Sequence, residues 1–200
     1  CRRHGRELPI WITEVGWPNG PDGSTEARSA QMLPRAYLLA LANGVRNVTW
    51  YDFHDDGPDR SYNEHNFGVI RYDMTPKPAY FAFRAMAVGL AGASFERRLD
   101  GGEGVTALVF RRGEERVCVA WAHREPTAVA LRLPGMGRVS GWDCMGNGWS
   151  EALKRGVWLG TVTPDPVYFA GVPAEVAMVR PVTCEPHVLK VPKGGSGKLR

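Results

Sequence analysis

The sequence predicts an α/β segment followed by an all-β segment. Residues 1–92 carry two short apolar runs, each followed by a stretch with helical periodicity, which is the pattern of consecutive strand–helix units. Residues 104–172 instead carry short alternating runs separated by turn residues, as in an antiparallel β-sandwich. We expect residues 97–103 to be a linker and residues 186–200 to be a flexible basic tail or linker.

The first strand–helix unit begins with the run PIWITE at residues 9–14. This run is rich in β-branched and aromatic residues and ends at a Gly/Pro/Asn/Asp loop, which favours a buried parallel strand. Residues 25–43 then show one apolar helical face, and Gly44 is the expected helix end. Pro34 lies inside this helix, where it predicts a bend. The residues of the apolar face are Ala30, Leu33, Tyr37 and Leu41.

The second unit begins with another predicted buried strand at residues 46–53, RNVTWYDF. The helix between the two strands fits a right-handed crossover between parallel strands. A polar loop runs from His54 to Asn66. We expect Thr75 to be the N-cap and Pro76 the first residue of a helix that Gly89 ends.

The second segment consists of six alternating runs typical of sandwich strands. Most tryptophans on the strands of a small sandwich fill its core, so we interpret the four here as packing residues rather than as a carbohydrate-binding surface. The runs are VTALVFR, RVCVAWA, TAVALRL, RVSGWDC, GVWLGTV and PVYFAG, and the tryptophans are Trp121, Trp142, Trp149 and Trp158.

Composition argues against several partners and cofactors. The net charge of +4 comes from four basic residues in the tail, so residues 1–185 hold 21 basic and 21 acidic side chains. A nucleic-acid-binding face needs a basic excess, and a membrane span needs a long apolar run; we therefore expect neither partner. No dinucleotide or phosphate-binding glycine motif is present, and residues 55–64 do not fit a calcium loop, so we expect no cofactor and no metal.

The cysteines leave the redox state open. Four cysteines lie far apart without a CxxC pair, which excludes the usual zinc and redox motifs. One disulfide and free buried thiols both fit this spacing. Because the chain starts at Cys1 rather than Met, we expect it to be part of a longer protein.

Glu14 is the first candidate for chemistry. Alternation along residues 9–14 predicts that Ile10, Ile12 and Glu14 share the inward face of the strand, with Glu14 as the last inward residue. The carboxyl end of a parallel barrel strand is where such barrels keep catalytic groups. The alternative is an ordinary strand-end acid paired with an arginine.

Three stretches resemble, in order, the end of the barrel in clan A retaining glycoside hydrolases. They are LPIWITEVGWPNG at 8–20, NVTWYDFHDDG at 47–57 and NFGVIRYDMTPKPAY at 66–80. Cellulase-like, β-xylosidase-like and β-1,3-glucanase-like families share this shape, and the resemblance covers residues 8–172. It implies that residues 1–92 are strands 7 and 8 of a TIM (β/α)8 barrel with their helices, followed by a small β-sandwich domain.

The resemblance implies a retaining glycosidase with Glu14 as nucleophile. Such a carboxylate stabilises the oxocarbenium-like transition state and forms the covalent glycosyl-enzyme, and a second carboxyl about 5–5.5 Å away acts as acid and base. In the clan, this second residue follows the fourth strand, which is outside this chain. The Asn63-Glu64 pair follows the second predicted strand instead, so we interpret Glu64 as a loop residue and expect the isolated chain to be inactive.

The same resemblance makes Trp50 the floor of the sugar site. Barrel packing is the alternative for Trp50, because indole rings near strand ends often belong to the core. Trp17, Asp52 and His54 are weaker candidates for binding sugar hydroxyls or rings. For the acidic residues of this rim, including Asp55 and Asp56, a solvated loop with turn-forming Asp residues is the alternative.

Two functions from different classes follow. The first is hydrolysis of O-glycosidic bonds in a polysaccharide or oligosaccharide; the second is a catalytically inactive barrel that binds carbohydrate or acts as a scaffold. The sequence leaves the sugar, the linkage and the oligomeric state open. It also leaves localisation open, although a polysaccharide substrate would favour secretion or a periplasmic site.

Overall fold

A computed structural model describes residue 5, residues 8–21 and residues 23–179. The predicted tail at residues 186–200 lies outside the described residues, as do Cys1 and Cys184.

Within the described ranges, the chain forms an α/β part and a larger β part. The elements are β1 (Ile10–Val15), α1 (Glu26–Ala42), β2 (Val45–Trp50), a 3₁₀ turn (Asn63–Asn66), α2 (Pro78–Gly89), β3 (Ser94–Leu99), β4 (Val105–Arg112), β5 (Glu115–Ala122), β6 (Thr127–Arg132), β7 (Arg138–Trp142), β8 (Gly148–Ala152), β9 (Val157–Val162), β10 (Val167–Ala170) and β11 (Ala177–Val179).

The first predicted strand–helix–strand unit is confirmed. Strands β1 and β2 form a parallel pair, and α1 connects them. Thr25 caps α1, because its hydroxyl oxygen accepts a hydrogen bond from the Arg28 N–H at 3.1 Å. Gly44 follows the helix with φ at +78°, a left-handed conformation that glycine adopts without strain. Helix α1 is continuous through Pro34.

A β-bulge interrupts β1 just before its carboxyl end. Ile12 pairs with Val48 in β2. The next pair joins Val15 to Trp50, so three steps along β1 match two steps along β2. Because paired residues face the same side of a sheet, Ile12 and Val15 share one side. Strict alternation is therefore broken between Ile12 and Val15, and Glu14, which lies in the bulge, is exposed.

The second unit departs from the prediction at two element ends. Strand β2 ends at Trp50, three residues before the predicted end. Helix α2 begins at Pro78, with Lys77 as its N-cap, rather than at Pro76. Pro76 instead forms an isolated bridge with Ile70 in the preceding turn. Pro78 satisfies the same preference for proline in the first helical turn that was assigned to Pro76.

The β part is a sandwich of a six-stranded and a three-stranded sheet. The six-stranded sheet has the order β3-β4-β5-β10-β7-β8, and the three-stranded sheet has the order β11-β6-β9. Strand β4 shows why both faces of the larger sheet are buried. Val105, Ala107 and Val109 face the core between the sheets, whereas Leu108 and Phe110 pack against residues of α1 and α2. The helices thus form a third layer on the sandwich.

The six predicted sandwich runs are confirmed as strands, but the predicted linker is wrong in its first half. Strand β3 covers Ser94–Leu99 and pairs with β4. This strand lies at the edge of the sheet, and charged residues such as Glu96 and Arg98 are typical of protected edges. Strands β8 and β11 are further additions to the predicted set.

The packing interpretation of the four sandwich tryptophans is confirmed. Trp149 and Trp158 lie between the sheets against Phe169. Trp121 is 1% exposed on the side that faces the helices. Trp142 lies on that same side, stacked on Tyr168 with ring centroids 5.0 Å apart and an interplanar angle of 9°. The cysteines that the structure describes, Cys118 and Cys144, are buried free thiols.

Candidate functional site

Glu14 lies at the carboxyl end of the parallel pair, beside the end of β2. Its neighbour Val15 pairs with Trp50, and the Tyr51 N–H donates to the Val15 carbonyl oxygen at 2.9 Å. The Glu14 side chain is exposed, and no described residue forms an ion pair with it. The alternative of a strand-end acid paired with arginine therefore finds no support in the described part of the chain.

Trp50 faces the helices. Its ring packs with a cluster that includes Leu33 of α1 and Val69, and its backbone N–H donates to the Tyr37 hydroxyl at 3.1 Å. Trp17 contacts it from the loop after β1, with ring centroids 5.4 Å apart. These are the contacts expected for the packing alternative, and they bring Trp17 and Trp50 together on one side of the strand pair.

Asp52 lies at an apolar cavity of about 220 Å³ behind β2. Trp50 and Phe53 line the same cavity. Partial burial, followed by the negative charges of Asp56 and Asp55, raises the pKa of Asp52 to about 6. Its Oδ1 atom is buried and has no hydrogen-bond partner among the described residues. Asp52 is thus an acid whose ionised form is disfavoured by its surroundings.

The segment after β2 is held by a short ladder to residues 67–70. The Asp52 N–H donates to the Phe67 carbonyl at 3.3 Å, and the Asp52 carbonyl accepts from the Val69 N–H at 3.1 Å. His54 continues this pairing through a bridge with Ile70. The His54 ring lies 6.0 Å from the ring of Tyr72. The rim candidates Asp52 and His54 therefore lie on a backbone that is fixed from one side.

Asp55 differs from both interpretations that the sequence allowed. It is 1% exposed, so it is neither a rim residue nor part of a solvated loop. Its Oδ1 atom accepts from Lys77 Nζ at 2.6 Å and from the Gly68 N–H at 2.9 Å. The neighbouring Asp56 is exposed, and the Tyr51 hydroxyl lies 3.5 Å from its Oδ2 atom.

Sequence reasoning missed two residues of this region. Lys77 is 0% exposed, although lysine is among the residues least often buried. Its place between two prolines at the base of a helix gave no sign of a buried partner. Tyr51 packs on Phe67 with ring centroids 5.2 Å apart. The alternation of β2 after Trp50 was the signal that could have identified Tyr51. Glu64 is exposed in the 3₁₀ turn.

The described residues contain neither a candidate metal site nor a candidate membrane-spanning helix. No group of three or more His, Cys, Asp or Glu side chains there could hold a metal ion. No helix in those ranges is both long and apolar enough to cross a membrane.

Comparison with solved structures reveals similarity to glycoside hydrolases. A family 39 glycoside hydrolase from the gut symbiont Bacteroides cellulosilyticus WH2 superposes with a TM-score of 0.74 at 28% sequence identity, over 86% of this chain and 35% of that one. The described chain matches the C-terminal domains of glycoside hydrolases. The predicted resemblance to glycoside hydrolases is confirmed. No family model matches the chain, and no curated protein sequence matches it.

Two xylanases share the fold at lower identity. A family 30 endoxylanase from Clostridium papyrosolvens C71 gives a TM-score of 0.59 at 13% identity, over 86% of this chain and 43% of that one. A family 30 subfamily 8 xylanase from Clostridium acetobutylicum gives 0.56 at 13% identity, over 86% and 44%. The chain therefore spans between about a third and a half of the length of these structures.

Proposed function

We propose that this chain is part of a retaining glycosidase that hydrolyses O-glycosidic bonds in a polysaccharide or oligosaccharide. The observation that carries the proposal is Glu14, which is exposed at the carboxyl end of the parallel pair with no ion-pair partner among the described residues, in a fold similar to a family 39 glycoside hydrolase. In this proposal β1 and β2 are the last two strands of a (β/α)8 barrel, and their carboxyl ends form part of its catalytic face.

In the proposed reaction the Glu14 carboxylate attacks the anomeric carbon. The bond to the leaving-group oxygen breaks as a covalent glycosyl ester forms on Glu14. A second carboxyl group first gives its proton to the leaving oxygen and then takes one from the water that hydrolyses the ester. We assign this second group to a residue outside the chain, because Asp55 is committed to an ion pair and Glu64 is an exposed residue of the 3₁₀ turn.

Sugar contacts are proposed from the loops that follow the two strands. Asp52 and His54 lie after β2, and Trp17 lies after β1; all three are only partly exposed. Tyr51 adds an aromatic ring and a hydroxyl group beside the end of the Glu14 strand, and such a group suits a sugar face. For Trp50 the contacts with α1 and Val69 favour packing over stacking on sugar.

The test is substitution of the nucleophile in the longer protein that contains this chain. Glu14→Gln keeps the shape of the side chain and removes the attacking carboxylate, so kcat on a panel of 4-nitrophenyl glycosides should fall by at least about 10³-fold. Glu64→Gln is the matched control and should retain activity. A Glu14→Gln protein within tenfold of the parent would rule out the assigned role.

The rival function gives a different result in the same assay. A carbohydrate-binding or scaffolding protein would show no hydrolysis of any glycoside in the panel, whereas it would still bind oligosaccharides in calorimetry. The exposed carboxylate of Glu14, which has no ion-pair partner in the described part of the chain, favours the enzyme, because a retaining glycosidase needs a carboxylate at such a strand end and a binding protein does not.

A further inference from the structure

Lys77 lies at the centre of a buried polar cluster at the base of α2. We call this cluster the polar node; it consists of the side chains of Lys77 and Asp55, the Asn66 carbonyl group and the Gly68 N–H group. Its side chain has no exposed surface, and that of Asp55 is 2% exposed. Lys77 Nζ donates to Asp55 Oδ1 at 2.6 Å and to the Asn66 carbonyl oxygen at 3.2 Å. Both contacts are charge-assisted, so they are strong and directional.

The node joins the loops that follow both strands. Asp55 belongs to the segment after β2. The Asn66 carbonyl that Lys77 binds also accepts a hydrogen bond at 2.9 Å from the N–H of Asn19, which lies in the loop after β1. Gly68 closes the node, because its N–H donates to the same Asp55 oxygen at 2.9 Å. One ammonium group thus connects α2 to two loops from different strands.

Stability alone does not account for this pair. Burial lowers the pKa of Lys77 against the opposing effect of Asp55, which shows that desolvation of the ammonium group is unfavourable. Buried ion pairs can often be replaced by apolar residues of similar size with no loss of stability, whereas removal of one partner is strongly destabilising. An apolar pair, however, could not donate a hydrogen bond to the Asn66 carbonyl oxygen, as Lys77 does.

We propose that Lys77 is a positioning residue, which holds the loop after Glu14 and the segment Tyr51–His54 in a fixed relation. This inference rests on the proposed function, because these loops matter as parts of a catalytic face. Lys77 itself is buried and touches no substrate. It acts through the Asp55 carboxylate, which lies in the segment after β2, and through the Asn66 carbonyl oxygen, which also binds Asn19 in the loop after β1.

The experiment removes both charges and keeps the fold. In the double variant Asp55→Asn/Lys77→Met, the Asn side chain still offers an acceptor to the Gly68 N–H, and no unpaired charge remains buried. The matched control is Glu96→Gln/Arg116→Met. It removes an ion pair in the sandwich, in which Arg116 Nε lies 2.9 Å from Glu96 Oε2. Both variants are made in the 200-residue chain for urea unfolding and amide hydrogen exchange, and in the longer protein for kinetics.

The expected result separates positioning from stability. The urea midpoint of the double variant should match that of the control. Exchange of the Asn19 amide should accelerate at least tenfold while the amides of β4 and β5 keep their protection. In the longer protein, kcat should fall at least tenfold with KM changed less than threefold.

Two results would overturn the inference. One is unchanged exchange at Asn19 with unchanged kcat. The other is a lowered urea midpoint with uniformly faster exchange, which would make the pair a stabilising contact only. If the parent longer protein hydrolyses no glycoside, the proposed function fails, whereas selectively faster exchange at Asn19 would still establish that Lys77 holds the loops.

Discussion

Neighbouring acids after β2 experience opposite environments. Asp55 is buried beside the ammonium group of Lys77. Asp52 is partly buried with no cation bonded to it among the described residues, and the charges of Asp56 and Asp55 oppose its ionisation. Sequence reasoning grouped these residues as one acidic rim. It could not separate them, because their burial depends on contacts that are distant in sequence: the ladder to residues 67–70 and Lys77, which lies 22 residues after Asp55.

The raised pKa of Asp52 predicts a pH effect on stability. The folded-state pKa is about 6, against 3.8 for the free side chain, so between these values the folded protein binds more protons than the unfolded chain. Asp52 therefore lowers the free energy of unfolding as pH rises from 3.8 to 6. Asp52→Asn removes this contribution.

Urea unfolding of both proteins at pH 4.5 and pH 7 measures the Asp52 effect. The free energy of unfolding of the Asp52→Asn variant minus that of the parent should be larger at pH 7 than at pH 4.5. An identical difference at the two pH values would contradict the assigned environment of Asp52.

Trp50 gives a second residue-scale prediction. Trp50→Ala should lower the free energy of unfolding by about 3 kcal/mol or more, because it empties a packed position between β2 and α1. In the 200-residue chain, Trp11→Ala is the matched control on the neighbouring strand, since Trp11 is 61% exposed there and should contribute little. Denaturant titration of both variants provides the comparison.

The same pair of variants tests the sugar-platform interpretation of Trp50. Affinity for a sugar-like inhibitor of the longer protein should be unchanged by Trp50→Ala if the residue serves packing. Lost affinity with intact stability would restore Trp50 as the sugar platform.

At the scale of elements, periodicity predicted both helices and most of the strands but not where each element ends. The sequence was sufficient to predict α1, because its apolar face, its N-cap and the glycine after it all indicate the same helix. The bulge in β1 was beyond prediction, since it depends on the register against β2. Strand β3 was hidden because its charges, which suit an exposed sheet edge, resemble those of a linker.

The contact of α2 with the sandwich can be tested at its last residue. A Cβ atom on Gly89 would clash with Cζ2 of Trp142, so Gly89→Ala should destabilise the fold by about 1–3 kcal/mol. Gly148→Ala is the control, because the nearest atom to its added Cβ is the Gly141 carbonyl oxygen at 3.9 Å. Equal thermal midpoints for the two variants would show that the end of α2 is not closely packed against the Trp142 ring.

At the scale of the molecule, the α/β part and the sandwich share one apolar cluster. Leu38 of α1 and Met86 of α2 pack with residues of β4, β5 and β10, so the sandwich supports the two helices behind the strand pair. The sequence predicted both parts from a change in pattern. It did not predict their shared core, because alternating strands do not reveal which sheet face a helix will cover.

The isolated chain should be catalytically inactive. A retaining mechanism needs a second carboxyl about 5–5.5 Å from the nucleophile, and we assign that group outside these residues. Assay of the 200-residue chain on aryl glycosides should give no turnover above the buffer rate. Hydrolysis that Glu14→Gln abolishes would instead place the acid/base within this sequence, with Asp52 and Glu64 the first candidates.

The central claim, that Glu14 is the nucleophile of a retaining glycosidase, is tested most directly by trapping the glycosyl-enzyme. A 2-deoxy-2-fluoroglycosyl fluoride of the sugar that the longer protein hydrolyses fastest slows the second step, so the covalent ester accumulates. Mass spectrometry of the digested protein should find one fluorosugar on the peptide that contains Glu14, and none on the Glu14→Gln protein. A fluorosugar on any other carboxylate would contradict the account.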